Sequence, residues 1–226
     1  MNYGSNRTRN SQNGGIRRGL YLGRFQILHN GHLHVLKHID QEPDIDEILI
    51  NIGSSQYSRT NKSFEAPWII NPFSYEERKA LVDRSLQGEI TKPYKIIALQ
   101  DQHYCPSWIA SVFHANPEFH VFFSNTARER DLFEERGIES RGIPIKDKFH
   151  AQIIREMIAY GDDFSQYVPK GVVEVVRERD LSRILREFYA EHAEEIDEVH
   201  AMQRKLGIAC YADLFGEKDI RKQIGD

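Results

Sequence analysis

Cysteine is scarce: Cys105 and Cys210 are the only two in 226 residues. That excludes a disulfide framework and a thiolate metal cage, and it favours a reducing compartment. No apolar stretch approaches the roughly 20 residues that cross a bilayer. The first residues also lack an apolar signal core, so the expectation is a cytoplasmic protein without a membrane partner. Charge of one sign is missing as well. Lys and Arg number 30 against 34 Asp and Glu, a formal net charge of -4, so no broad nucleic-acid surface is expected and any phosphate binding is local. Neither a G-x-x-x-x-G-K-[ST] loop nor a G-x-G-x-x-G turn occurs, which removes the two commonest phosphate cradles. There is no internal repeat.

What is present describes a globular chain. The hydrophobic share is 40% and the charged share 28%, enough for one sizeable core. Residues 1–15, rich in Asn, Ser, Gly and Arg, read as a flexible tail, because they cannot bury enough surface to offset the entropy of ordering them. Gly19–Phe25, Glu47–Gly53, Lys95–Leu99 and His120–Ser124 read as buried strands, and a short extended piece is expected near Ile143. Helices are expected over His32–Ile39, from the capping box Ser74-Tyr75-Glu76-Glu77 to about Leu86, over Pro106–Ala115, Thr126–Arg136 and Ala151–Tyr160, and throughout Phe164–Ile224. Strand and helix alternate. The fold class is α/β, a doubly wound and mostly parallel sheet with a helical C-terminal extension.

The chemistry gathers in Gly19-Leu20-Tyr21-Leu22-Gly23-Arg24-Phe25-Gln26-Ile27-Leu28-His29-Asn30-Gly31-His32. A strand runs through a glycine-bearing turn into a helix, which aims backbone N–H groups and positive potential at one point. Gly31 permits close approach of a ligand to the backbone. Two imidazoles can donate hydrogen bonds to phosphate oxygens, and Arg24 can add a planar charged fork.

At these residues the sequence resembles the HxGH nucleotidylyltransferases, and most closely the archaeal-type nicotinamide-nucleotide adenylyltransferases, whose pattern is Gly-Arg-Phe-Gln-Pro-Phe-His-x-Gly-His. The resemblance continues through Ile52-Gly53-Ser54-Ser55-Gln56, through Asn71-Pro72-Phe73-Ser74 to Glu77-Arg78, and through Asp101 with Trp108. It extends to Ser124-Asn125 followed by Leu132-Phe133, and closes on Val168-Pro169 to Val176. It thus covers about Gly19 to Val176 and implies a nucleotidylyltransferase domain over 16–176 with an extension over 177–226. Three features depart from the family: Ile27 replaces a proline, the loop Tyr57–Ile70 is longer, and His150 and Gln152 stand where small hydroxyl residues precede Ile154-Arg155.

The resemblance implies adenylyl transfer from ATP, carried with Mg²⁺, to nicotinamide mononucleotide. It assigns His29, His32, Arg24 and Arg155 to the triphosphate, with His32 nearest the α-phosphate. It places Gly23, Phe25, Gln26, Gly31 and Ser54 around the nucleotides, Asp101 and Trp108 on the nicotinamide side, and Ser124 and Asn125 beside adenosine. His150 and Gln152 are the remaining donors. Relatives of this type form homo-oligomers, so one is expected here. Two other functions stay open: the same chemistry with phosphopantetheine, flavin mononucleotide or a cytidylyl-type substrate, and a non-catalytic nucleotide-binding regulator. Residue by residue, plainer roles compete. A His pair at a helix start can be a cap, Trp108 can be core, and Ser124-Asn125 can be a turn and N-cap. His150 can be a surface residue, and His34 with His38 can be a solvated helix face.

Overall fold

The computed structural model describes residues 15–61, 71–102, 105–143 and 150–206. The expected tail, most of the loop before Asn71 and the end of the C-terminal helical stretch lie outside the described residues. Five parallel strands, β1 (Arg18–Gly23), β2 (Glu47–Ile52), β3 (Tyr94–Ala98), β4 (Val121–Phe123) and β5 (Glu139–Arg141), form one sheet in the order β3-β2-β1-β4-β5. Eight α-helices are described: α1 (Asn30–Gln41), α2 (Tyr75–Leu86), α3 (Cys105–Ala115), α4 (Ala127–Glu134), α5 (Ala151–Tyr160), α6 (Lys170–Glu178), α7 (Leu181–Glu191) and α8 (Ala193–Lys205). The chain steps outward from β1 to β3, then returns to lay β4 against the other side of β1. That reversal opens a crevice at the carboxyl ends of β1 and β4, where open α/β sheets bind ligands.

Strand side chains alternate between faces, and the apolar residues sort accordingly. Tyr21, Ile48, Ile50, Val121 and Phe123 face one cluster, which also takes in residues of α1, α2 and α5–α8. Leu20, Leu49 and Phe122 face a second cluster with Val112 of α3 and Phe133 of α4. Both faces are therefore covered, and the nearly continuous apolar run of β2 and the apolar run of β4 follow from that. Leu181, Leu185, Phe188 and Tyr189 of α7 and Ile196 of α8 belong to the same cluster as β1. Within β2, Asn51 is fully buried and exchanges side-chain hydrogen bonds of 2.9 and 2.8 Å with Asn116, just past α3.

Several boundaries differ from expectation. β1 ends at Gly23, ahead of Phe25, whose φ of 51° leaves the extended region. The stretch from Phe164 opens with a 3-10 turn at Ser165–Tyr167 and divides into α6, α7 and α8. α1 starts at Asn30 because the two histidines themselves cap it. α4 ends before Gly137, whose φ of 76° leaves the helical region. β5 covers Glu139–Arg141, ahead of Ile143. It is a charged edge strand, so its apolar pattern is weak: Arg141 pairs with Asp44 at 2.6 Å and Glu139 at 2.7 Å. Charges on an edge also oppose pairing with another chain.

Candidate active site

The site is built where β1 ends and α1 begins. His29 is the N-cap of α1, and its Nδ1 accepts from the Gly31 amide at 3.1 Å. His32, three residues on, accepts from the His29 amide through its own Nδ1 at 3.3 Å. This is a capping box made with imidazoles instead of a hydroxyl and a carboxylate. The plain reading of the pair as a helix cap is thus correct. It also has a chemical consequence: with Nδ1 of each ring accepting, the proton of each neutral ring sits on Nε2. The cap fixes the tautomer.

The two rings stack at 3.8 Å between centroids, 27° apart, and Phe25 packs on His32 at 5.0 Å. Burial, then the neighbouring His29, holds the pKa of His32 well below its ordinary value. His32 is therefore a neutral donor at pH 7, suited to an oxygen that gains charge. Gly31 allows this geometry: a Cβ there would stand 3.0 Å from both Cε1 and Nδ1 of His29.

Positive charge converges on the same turn. Arg24, just past Gly23 at the end of β1, is exposed as a residue, but its guanidinium is crowded by protein. Desolvation and the charge of Arg155 lower its pKa, with Asp101 opposing. Arg155 comes from α5, 3% exposed, and donates through Nη1 to the Gln26 carbonyl and through Nε to the Tyr189 hydroxyl at 3.3 Å. The expected meeting of Arg155 with the first half of the motif is present. The guanidinium reaches the turn from beneath, in the second turn of α5. Burial pushes the Tyr189 hydroxyl up to about 12, so it stays protonated.

On the β2 side, Ser54, with φ of 50°, donates from Oγ to Asp101 at 2.5 Å. Gln56 holds the Asp101 backbone at both ends, accepting from its amide at 3.0 Å and donating to its carbonyl at 3.1 Å. Arg78 of α2 donates to the carbonyls of Arg24, Gly53 and Ser54. Gln56 and Arg78 both stand in stretches that carry the family resemblance, but the sequence assigned neither a role. One signal existed for Arg78: it heads the stripe Arg78, Leu81, Val82, Ser85 at helical spacing, so a cation occupies a core-facing position.

Several expected ligand contacts take other roles. Gln26 is buried, and its amide bonds the Phe73 backbone both ways, at 2.9 and 3.0 Å, so it ties the turn to the start of α2. Phe25 is buried as well and supports His32 from behind. Gln152 is corrected most clearly. Its Nε2 donates to Glu156 at 3.0 Å and its Oε1 accepts from Gln203 of α8 at 2.7 Å, so both ends of the amide are engaged within the α5–α8 contact. His150 is the exposed N-cap residue of α5 and makes no side-chain cap bond. Trp108 is partly buried on α3, edge-on to Phe133 at 6.2 Å, within the second cluster. Ser124 stands at the end of β4 and bonds Glu129 at 2.6 Å and the Thr126 amide at 3.1 Å. Asn125 accepts from the Ile143 amide at 2.9 Å. Both act as turn residues there. His38 meets Glu42 at 3.2 Å on the outer face of α1.

Comparison with known proteins now bears on this geometry. The profile of the cytidylyltransferase-like family matches residues 20–205. A nicotinamide-nucleotide adenylyltransferase of Thermoplasma volcanium is 36% identical over 170 residues, 74% of this chain and 90% of the relative. One from Thermococcus kodakarensis is 36% identical over 167 residues, covering 72% and 84%. The chain belongs to the cytidylyltransferase-like family, on its nicotinamide-nucleotide adenylyltransferase branch. Among solved structures, a bifunctional NMN adenylyltransferase/ADP ribose pyrophosphatase from Francisella tularensis, complexed with AMP and a manganese ion, has a TM-score of 0.63 at 22% identity. It covers 84% of this chain, which spans 56% of that longer one. That likeness concerns the fold. In this adenylyltransferase-family chain Arg24 and Arg155 gather at the turn that carries the imidazole pair. His150 makes no side-chain cap bond, and Gln152 bonds Glu156 and Gln203.

Proposed function

We propose that this protein transfers the adenylyl group of ATP to nicotinamide mononucleotide, releasing pyrophosphate and forming NAD. The observation that carries the reading is the stacked His29–His32 pair, whose backbone bonds at Nδ1 leave Nε2 as the protonated nitrogen, at a turn that also bears Arg24 and receives Arg155. An oxygen of the acceptor 5′-phosphate forms a bond to the α-phosphorus. The bridging bond to the β-phosphate breaks, and its electron pair leaves with pyrophosphate. The attacking group is already an anion, so no protein nucleophile or base is needed, and catalysis rests on positioning and on preorganised donors. His32 donates to the α-phosphate and His29 to its neighbour. Arg24 neutralises the leaving pyrophosphate. Arg155 contributes charge from beneath the turn, its Nη2 being uncommitted among the described residues.

The Asp101 carboxylate, held by Ser54 and Gln56, suits the amide N–H of nicotinamide and repels a carboxylate in its place. Among the described residues no cluster of His, Cys, Asp or Glu could hold a metal ion. Mg²⁺ enters with the substrate, bound to ATP phosphates and water as this cation prefers. The proposal includes a homo-oligomer in the cytoplasm, which light scattering of the purified protein checks for assembly. The test of function is pyrophosphate release with MgATP and a panel of acceptors. Release with nicotinamide mononucleotide is expected. Release only with phosphopantetheine, flavin mononucleotide or a cytidylyl-type acceptor would move the activity to that acceptor, and no release with any would sink the enzyme reading.

A further inference from the structure

Arg78 has no part in the reaction as described, yet it is the largest fully buried side chain among the described residues. Its guanidinium donates to the Gly53 carbonyl at 2.7 Å, Arg24 at 2.9 Å, Ser54 at 3.0 Å and, through Nε, Ser74 at 3.3 Å. Three of these carbonyls lie in the turns that follow β1 and β2. Among the described residues no carboxylate stands within ion-pair distance of it. A buried cation without a paired anion is costly and is retained only where something offsets it. Neutral carbonyls satisfy its donors but not its charge. Around it, Arg24 is a like charge, while Asp101, Tyr75 and Glu77 are the groups of opposite tendency. Arg155 in turn acts on Arg24. Three arginines thus share one end of the sheet, and Asp101 is the carboxylate that acts on both Arg24 and Arg78. The imbalance favours a polyanion.

We propose that Arg78 is a positioning residue for adenylyl transfer, locking the turns after β1 and β2 in register and placing a buried positive charge behind the triphosphate site. The inference rests on the proposed transfer reaction. It assigns Arg78 two effects that can be separated: geometry, because Arg24 and the Ser54–Asp101 pair depend on the same fork, and field, because the charge lies behind bound phosphate.

The test is Arg78→Lys, with Arg78→Met beside it, reading MgATP affinity by calorimetry from pH 6 to pH 9 and turnover by pyrophosphate release. Burial brings the Arg78 pKa down to about 10, so the wild-type charge persists across this range. A lysine in the same place loses its charge lower still, because desolvation can depress a buried ammonium by several units. The ratio of Kd for Arg78→Lys to wild type therefore rises about tenfold or more between pH 6 and pH 9. At pH 6 its kcat is already down on the order of tenfold or more, since a point charge cannot span three carbonyls. Arg78→Met binds MgATP about tenfold more weakly at every pH. If that variant does not fold, Arg78→Lys decides alone. A Kd ratio independent of pH, or a folded Arg78→Met that binds MgATP like wild type, would overturn the proposal. Wild type that binds MgATP without transferring to nicotinamide mononucleotide sinks the transfer reading and leaves the Arg78 comparison readable in affinity. Wild type that does not bind MgATP sinks both.

Discussion

Gly31→Ala separates catalysis from stability at a single atom. Gly31 lies in the first turn of α1, in helical backbone, so alanine is favoured there by at most about 1 kcal/mol. The new methyl would stand 3.0 Å from Cε1 and Nδ1 of the His29 ring, inside ordinary contact. The ring has little room to retreat. It accepts from the Gly31 amide at 3.1 Å and stacks on His32 at 3.8 Å, so moving it weakens a cap that contributes about 1 kcal/mol. The two effects oppose each other and nearly cancel, and Tm is expected to stay within about 2 °C of wild type. Activity has no such compensation. A displaced His29 shifts its own Nε2 and, through the stack, that of His32, and misplacement of this kind lowers kcat/KM on the order of a hundredfold. Thermal denaturation and pyrophosphate release, run on the same preparation, read both quantities. A variant with wild-type kcat/KM would show that the imidazoles need not hold this geometry. A large drop in Tm accompanying the lost activity would show that the substitution disturbs folding instead.

Gly171→Ala acts on the fold. Its Cβ would meet the backbone of α2, 2.6 Å from the Arg84 oxygen and 2.8 Å from the Ser85 Cα, so α2 and α6 must part, lowering stability by about 1–3 kcal/mol in a denaturant titration. An unchanged midpoint would contradict that packing. His200→Ala removes the ionisable partner of buried Glu156, 2.8 Å away, and is expected to destabilise the protein by about 3 kcal/mol. Burial lowers the His200 pKa, but Glu156 outweighs it, with Asp197 adding and Arg204 opposing, so the folded value lies above the ordinary 6.5. The charged pair therefore stabilises fully below pH 6.5, and that part is lost as pH rises through the folded value. The gap between wild type and variant should be wider at pH 6 than at pH 9; a gap that widens with pH refutes the pairing.

Local pattern made much of this protein legible before any coordinates. Nearly continuous apolar runs mark β1, β2 and β4, because both faces of a parallel sheet are covered. Ser74 and Glu77 mark the start of α2 through bonds that span three residues. The His29–His32 motif is local in the same sense: its capping geometry is contained within four residues. β5 was harder to see, since an edge strand held by Arg141 and its acidic partners carries little apolar signal.

Only the tertiary structure decided how the distant groups are used. Arg155 lies 129 residues from the Gln26 carbonyl it meets. Gln152 turns to Gln203 because α8 packs on α5, and no property of Gln152 itself foretells that neighbour. Gln26 is consumed by Phe73, 47 residues on. Arg78 belongs to a recognisable motif, but what its guanidinium holds is fixed only where the ends of β1 and β2 close over it. A side chain's type sets which bonds it can make, and that much is written in the sequence. Which partner takes those bonds depends on the chain segments that packing brings within 3 Å, and that is settled only in the folded molecule.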